Sequence, residues 1–425
     1  MATFETSLKS RLIYVFAIPD EWHKDCLKVG ETTLEEDDGN FPLPNSEVLN
    51  KAACDRIDQY TKTAGIAYNL LHTEMTVFFK GGTISSFNDK QVHSVLERSG
   101  VKKKTFDTVK GANEWFCCDL ETVKKAIHAV KNGRNSLNAS DISYTQTPII
   151  FRPEQQAAID KTKKQFKKGA QMLWNAKMRF GKTLCALRVA RDLEMRRTII
   201  LTHRPVVDES WFEDFGKIFY DRTDYHYGSR TKGEDFTSLE RLAKKGDRYV
   251  YFASMQDMRG AQLVGGKFDK NNEVFSTDWD FLIVDEAHEG TRTELGESVI
   301  KELTKANTKV LKLSGTPFNL LDDYTEEETY TWDYTMEQRA KTEWDLLHMG
   351  DPNPYASLPA INIYTYDLGA LMNDYSEDEK AFNFREFFRT KDDGMFIHEN
   401  DVDNFLSLLC KEDKESLYPY SNERY

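Results

Sequence analysis

The sequence predicts an α/β protein, most of it a parallel sheet flanked by helices, with a smaller α+β block in front. Three observations carry that expectation. The apolar run Met172-Leu-Trp174 leads through a loop ending in Gly181-Lys-Thr183 into a helical pattern, Leu184 to Ala190. A second apolar run, Phe281-Leu-Ile-Val284, ends in the acidic pair Asp285-Glu286. Further strand-like runs alternate with helical ones, and polar residues follow each strand end, as βαβ units in one sheet require.

A strand-to-helix turn ending in Gly-Lys-Thr is built to hold phosphate. Its backbone N–H groups converge on an anion, and the helix N-terminus adds partial positive charge. Ala176, Met178, Arg179, Phe180, Gly181 and Leu184 form this cradle, with Ala176 standing where the usual pattern has its first glycine. Lys182 is expected to reach the β/γ oxygens and Thr183 to place its hydroxyl on Mg²⁺. The acidic pair sits just past a strand end, where open α/β sheets bind ligands. Asp285 is placed to hold Mg²⁺, largely through water, and Glu286 to polarise the attacking water. The expected cofactors are therefore ATP and Mg²⁺.

At 425 residues the chain is long enough for two or three domains, and 40% hydrophobic content suffices for packed cores. The net charge of −13 argues against a protein that coats nucleic acid wholesale, but basic clusters at Lys102–Lys104, Lys161–Lys168 and Arg188–Arg197 leave room for a local groove. The six cysteines form no C-x-x-C pair and no metal-ligand rhythm, so they read as reduced thiols of a cytoplasmic protein without structural zinc. The N-terminus lacks a signal-peptide pattern, and no segment has the apolar length of a membrane span.

The elements follow in order. Leu12–Ile18 and Leu27–Gly30 read as a strand pair, the acidic loop Glu31–Pro44 precedes a helix near Glu47–Thr61, and Glu74–Phe79 reads as a strand ending in a Gly81-Gly82 turn. A helix over Asp89–Arg98, the segment Glu114-Trp-Phe116 and a helix over Leu120–Val130 close the block. With Ile13-Tyr-Val15, Lys28-Val-Gly30, Arg56, Val92-His93 and Glu114-Trp-Phe116 in this order, residues 11–131 resemble the GIY-YIG endonuclease superfamily, in the variant of phage and mobile-element proteins. The resemblance implies that Tyr14 positions or activates the attacking water, and that Arg56 stabilises charge on the scissile phosphate. A helix carboxylate would bind a single Mg²⁺ or Mn²⁺. The helix start offers Asp89 for that ligand, on one face with His93 four residues on; Glu114 is a further candidate. The block reads either as a nuclease or as a DNA-binding module that does not cut. Its expected extent is 1–133.

Residues 134–148, rich in Asn, Ser and Thr, read as a linker. Phe151-Arg-Pro-Glu-Gln155 then opens a helix continuing to Phe166. Gln155 is suited to bond N6 and N7 of adenine, with Phe151 or Arg152 stacking on the base. Beyond the phosphate loop, Thr198–Leu201 runs into Thr202-His-Arg-Pro205, Tyr249–Ala253 into Ser254-Met-Gln256, and Val310–Leu313 into Ser314-Gly-Thr316. The phosphate loop, Asp285-Glu-Ala-His288 and Ser314-Gly-Thr316 in this order resemble motifs I, II and III of superfamily 2 helicases and translocases of the DEAH-box, restriction-enzyme kind. The resemblance implies a RecA-like P-loop NTPase domain over 149–325, coupling of hydrolysis to strand movement by Ser314 and Thr316, and DNA backbone near His203, Arg204, Ser254 and Gln256.

Residues 326–425 are expected to hold a linker or insert and the start of a second RecA-like domain, with a strand at Ile361–Tyr366. In this superfamily the second domain supplies an arginine to the transition state, so the resemblance implies slow ATP turnover unless a longer chain or another subunit completes the site.

Overall fold

The computed structural model describes residues 10–34, 42–80, 83–106, 114–141, 149–268, 270–288, 294–317, 320–348, 350–358, 384–391 and 393–409. It divides into two units, Met1–Tyr355 and Ala356–Tyr425.

The first unit opens with β1 (Arg11–Ala17), β2 (Leu27–Thr33), α1 (Glu47–Thr61), β3 (Asn69–Met75), β4 (Val77–Lys80), β5 (Thr83–Ser86), α2 (Asp89–Arg98), β6 (Trp115–Phe116) and α3 (Leu120–Lys131). Four of the strands make an antiparallel sheet in the order β3-β1-β2-β6. The run Leu12–Phe16 is apolar without alternation because helices cover both faces of the sheet. Ile13 and Val15 pack with Val92, Val95, Val123 and Ile127 of α2 and α3, whereas Leu12, Tyr14 and Phe16 pack with Leu49, Ala53 and Ile57 of α1. The apolar residues of α1 recur every four positions, which puts them on one stripe. A capping box of Asn88 and Gln91 starts α2, and the Asp119 carboxylate caps α3 by accepting the Thr122 N–H.

One strand differs from the sequence reading. Glu74–Phe79 is not continuous: Thr76 directs both its N–H and its hydroxyl to the Arg11 carbonyl, at 2.9 and 3.0 Å. This separates β3 from β4, which pairs instead with β5. The expected Gly81-Gly82 turn lies outside the described residues, as do residues 35–41 of the acidic loop.

The unit continues through α4 (Pro153–Gln165), β7 (Gln171–Ala176), α5 (Lys182–Asp192), β8 (Arg197–Thr202), α6 (Asp208–Phe219), β9 (Tyr225–Gly228), α7 (Phe236–Ala243), β10 (Arg248–Ser254), α8 (Met255–Arg259), α9 (Asn272–Ser276), β11 (Phe281–Asp285), α10 (Glu294–Leu303), β12 (Lys309–Ser314), β13 (Thr329–Trp332) and α11 (Tyr334–Leu347). The seven strands form one sheet, β13-β7-β12-β11-β8-β10-β9, in which every neighbouring pair is parallel. The central strands carry unbroken apolar runs because both of their faces are buried; Phe281 to Val284 have no exposed surface. Register brings the strand ends into one row. Trp332 lies opposite Ala176, Ser314 opposite Asn175, and Asp285 and Ser254 both opposite Thr202.

The two sheets are joined by specific bonds. The Arg98 guanidinium donates to the carbonyls of Gly233 (2.7 Å), Arg230 (3.0 Å) and Ser229 (3.0 Å), and Gly233 N–H donates back to Arg98 O at 2.8 Å. Gly233 has φ +64°, and a Cβ there would stand 2.0 Å from the Tyr227 carbonyl, so no other residue fits. Within the segment expected as a linker, Asn135 N–H donates to the buried Glu234 carboxylate at 2.9 Å, and Arg134 and Ser136 donate to it at 3.3 Å. Residues 142–148 lie outside the described residues.

In the second unit, α12 (Phe384–Phe387) and α13 (Glu399–Leu409) bring Phe387 and Val402 together with Phe388, Phe396 and Phe405. The expected strand Ile361–Tyr366 falls outside the described residues.

Candidate functional site

At the C-terminal edge of the parallel sheet, β7 ends in Ala176 and α5 begins at Lys182. The loop between them turns through two left-handed residues, Arg179 at φ 64° and Gly181 at φ 90°. A Cβ on Gly181 would stand 2.6 Å from Gln155 Nε2. Ala176 and Phe180 are fully buried and anchor the loop, while Met178 is exposed and Thr183 and Leu184 are half-buried at the start of α5. Lys182 Nζ donates to the carbonyls of Ala176 (2.8 Å) and Lys177 (3.4 Å). Burial pulls its pKa down, and the charges of Glu286 and Asp285 oppose that. A half-buried ammonium held by carbonyls, beside two carboxylates and a helix N-terminus, fits a phosphate with its cation.

The acidic pair is constrained just as tightly. Trp211 Nε1 donates to Asp285 Oδ2 at 3.3 Å, and Glu286 N–H donates to Asp285 Oδ1 at 3.0 Å. Burial, then the neighbouring Glu286, pushes the Asp285 carboxyl above its usual range, which a divalent cation would reverse. Glu286 sits at φ 48°, a conformation that is costly for a residue other than glycine and that recurs at functional sites. His288 Nδ1 and Ser314 Oγ are hydrogen-bonded at 2.9 Å, and Thr316 N–H donates to Ser314 Oγ at 3.2 Å. A Cβ on Gly315 would be 3.9 Å from Lys182 Nζ, so the Ser314–Thr316 loop overhangs the phosphate loop.

Gln155 is buried and its amide is engaged: Oε1 accepts from Arg152 N–H at 2.8 Å, and Nε2 donates to Phe180 O at 2.6 Å. It ties the helix start to the phosphate loop, with Arg152 adding a bond to the same carbonyl at 3.1 Å. Phe151 lies under the Arg188 guanidinium, 5.9 Å from its centre. Two residues invisible to motif reading complete this corner. Glu337 of α11 bonds Lys177 of the loop at 2.5 Å, and Tyr355 donates to Glu154 at 2.7 Å.

Further along the edge, Arg204 and Gln256 are exposed, His203 and Ser254 half-buried. Ser254 Oγ accepts from Asp257 N–H and so caps α8. Ser254 and Gln256 line a groove with Pro205 and Thr231, and Arg230 and Lys270 add two cations that the sequence reading did not single out.

The antiparallel sheet carries a second cluster. Tyr14, 3% exposed, faces Gly30 across the strands, and a Cβ on Gly30 would stand 2.7 Å from its hydroxyl. The hydroxyl lies near Tyr60 and Arg56, and burial raises its pKa above the ordinary tyrosine value. Arg56 also donates to Gln59 at 2.7 Å. Lys28 Nζ is 3.3 Å from Glu114 and 4.6 Å from the Tyr60 ring centre, which brings the Glu114 carboxylate to the same face. The two α2 candidates are not part of this cluster. Asp89 and His93 ride on α2, which packs on the opposite face of the sheet, with His93 Nε2 held by the Val29 carbonyl at 2.8 Å and Asp89 N–H near Glu31. Asp89 therefore does not stand with Tyr14 and Arg56, whereas the Glu114 carboxylate reaches them through its ion pair with Lys28. Strand parity is the reason, since side chains of Tyr14 and of Ile13 leave the sheet in opposite directions. Among the described residues no three His, Cys, Asp or Glu side chains form a metal cage. A single carboxylate with water and substrate phosphate as the remaining ligands is compatible with Mg²⁺.

An all-parallel sheet with a Gly-Lys-Thr turn after one strand and an acidic pair after another defines a P-loop nucleoside-triphosphatase domain. Comparison narrows this class: residues 148–319 match the family described as "Type III restriction enzyme, res subunit". That segment, less than half of the chain, is similar to this restriction-enzyme family. A Mycoplasma pneumoniae protein with the provisional name of type II restriction enzyme and methyltransferase, C-terminus, is 25% identical over 329 residues, covering 62% of this chain and 44% of its own. The chain thus spans less than half the length of that relative. Among solved structures, the UvsW helicase of bacteriophage T4 aligns at 13% identity and TM-score 0.32, over 60% of this chain and 99% of its own. The Sulfolobus solfataricus SWI2/SNF2 ATPase core in complex with dsDNA aligns at 15% and 0.31, over 44% and 37%. Likenesses this distant say nothing of activity. Among the described residues no helix is long and apolar enough to cross a membrane.

Proposed function

We propose that this chain is the ATP-driven part of a DNA translocase or helicase that carries a metal-dependent endonuclease block at its N-terminus, working in restriction or phage defence. The observation that carries the ATP half is the convergence of Lys182, Asp285, Glu286 and the His288–Ser314 bond on one sheet edge. Lys182 and the loop N–H groups would hold the phosphates, with Thr183 and Asp285 on the cation. Glu286 would orient the attacking water. Ser314, overhanging the loop and bonded to His288, would pass the change on hydrolysis to the strand-end groove, where Arg204, Ser254 and Gln256 with Arg230 would meet the DNA backbone. ATP with its divalent cation supplies the energy of this cycle.

The nuclease half is supported by the gathering of Tyr14, Arg56 and Glu114 on one face. Glu114 would hold Mg²⁺ or Mn²⁺, Tyr14 would position the nucleophile, and Arg56 would neutralise the phosphate. A second reading, a remodelling ATPase whose N-terminal block binds DNA without cutting, is favoured by the Lys28–Glu114 ion pair, which already satisfies the carboxylate.

The test is nicking of supercoiled plasmid by the whole chain in Mn²⁺ and in EDTA, beside Arg56→Ala and Glu114→Gln. Metal-dependent nicking lost in both variants supports the nuclease. DNA binding by a folded wild type without nicking selects the second reading. DNA-stimulated phosphate release tests the motor separately.

A further inference from the structure

Neither site uses the cysteines, yet two of them meet. β2 and β6 pair with Leu27 opposite Phe116 and Lys28 opposite Trp115, so one step further along puts Cys26 opposite Cys117. Val29 N–H donates to Glu114 O, which makes that facing pair a hydrogen-bonded one. Alternation along an antiparallel ladder then makes Cys26 and Cys117 a non-hydrogen-bonded pair, the kind whose Cα atoms approach to about 4.5 Å with side chains closest. The backbone agrees: Cys26 N–H goes to His23 O and Cys117 N–H to Lys102 O, neither to the other. The two sulfurs stand 3.1 Å apart. A disulfide spans Cα separations of about 4.4–6.8 Å, so it can close here without moving the strands far.

The thiols differ in access. Cys26 is buried and Cys117 exposed. Burial, with Cys117 alongside, pushes the Cys26 thiol up to about 12, so it stays protonated near neutrality and does not react first. Burial likewise pushes the adjacent Cys118 thiol up to about 12, which makes it a poor competitor.

We propose that Cys26 and Cys117 are a reversible thiol–disulfide pair, oxidised by hydroperoxides, which fastens β6, and with it Glu114 just before it, to β2. The Cys117 thiolate attacks a peroxide oxygen, the O–O bond breaks, and the departing hydroxide takes up a proton to leave as water, giving a sulfenic acid. Cys26 sulfur then attacks the sulfenic sulfur. The S–S bond forms, the S–O bond breaks, and the released hydroxide takes the Cys26 proton as a second water. Two thiols and one hydrogen peroxide become one disulfide and two waters, with two electrons passing from sulfur to oxygen. β6 is only two residues long, held by β2 on one side and by the Lys103–Phe116 bridge on the other. A covalent bond one residue past its end restrains it, and closes a loop between positions 91 apart that also limits the unfolded chain. This inference stands whether or not the N-terminal block cuts DNA.

The experiment treats the reduced whole chain with hydrogen peroxide, alkylates it with N-ethylmaleimide under denaturing conditions, and maps its peptides without reductant. The expected result is loss of two alkylatable thiols and one intrachain Cys26–Cys117 peptide, both reversed by dithiothreitol. Cys117→Ser, at an exposed position, should keep every remaining thiol alkylatable, and Cys26→Ser should stop at a sulfenic acid on Cys117 that dimedone traps. Circular dichroism checks that both variants fold. A Cys117–Cys118 link, a link between chains, or Cys117 overoxidised to sulfinic acid while Cys26 remains alkylatable would overturn the proposal.

Discussion

The two polar clusters of the first unit are assembled in opposite ways. At the edge of the parallel sheet the working groups sit on loops beyond strand ends, and backbone geometry aims them: the left-handed turns at Arg179, Gly181 and Glu286 do the orienting. On the antiparallel sheet the cluster lies on the face, under α1, and side chains of three elements and of Glu114, just before β6, aim one another. Tyr14 is wedged over Gly30, and Arg56, Tyr60, Lys28 and Glu114 close round it. An edge site leaves room for a large ligand and for loops that respond to it. A face site is stiff, and its geometry is fixed by packing.

Breaking each cluster separately tests that contrast. Lys182→Ala or Glu286→Gln should lower phosphate release on the order of 10²–10³-fold, the scale of removing one preorganised charge-stabilising group, and leave metal-dependent plasmid nicking unchanged. Arg56→Ala should do the reverse, cutting nicking about 10²-fold with phosphate release intact. Asp89→Asn, on the far face, should alter neither. If Asp89→Asn abolished nicking while Glu114→Gln did not, the assignment by sheet face would be wrong.

Smaller effects probe stiffness. Gly30→Ala must displace the Tyr14 ring, and should cost about 1–3 kcal/mol in urea unfolding of the N-terminal sheet. The smallest expected effect is a pH dependence at the joint. His226 is buried between Asn138 and Asp247, and burial lowers its pKa from 6.5 despite the Asp247 carboxylate and with Arg134 adding to the depression. The unfolded chain therefore takes up a proton that the folded one resists. Stability should fall as pH drops below about 6.5 and level off below the folded value. Thermal melts from pH 7.5 to 5 should show this slope, and His226→Gln should flatten it.

What could be read from the sequence follows how local each feature is. α1 and α2 lie about where the sequence places them because apolar spacing along a helix is a contiguous signal. The phosphate loop and acidic strand were readable because each lies within nine residues or so, and the parallel sheet followed from their order. β9 and β13 are not legible in the sequence, since Tyr225-His-Tyr-Gly and Thr329-Tyr-Thr-Trp are short edge strands that mix polar and aromatic residues, unlike the apolar central runs. That Asp89 lies on the face away from Tyr14 is invisible in the sequence, because helical spacing relates it to His93 and says nothing of which side of the sheet the helix covers. Gly30 was the available signal, a glycine opposite a tyrosine where a tight ring contact excludes a side chain. Gln155 is expected on adenine from its place before the phosphate loop, but its bonds to Arg152 and Phe180 depend on a fold contact 25 residues away.

The bonds from Arg98 to the 229–233 carbonyls, and from Arg134, Asn135 and Ser136 to Glu234, have a metrical consequence. A flexible tether between two sites gives a broad spread of separations, growing as the square root of its length. A joint pinned by a guanidinium fork and a buried carboxylate gives one value. Any mark the N-terminal face leaves on a long ligand gripped at the sheet edge would then fall at a fixed offset, set by the fold as by the graduation on a ruler.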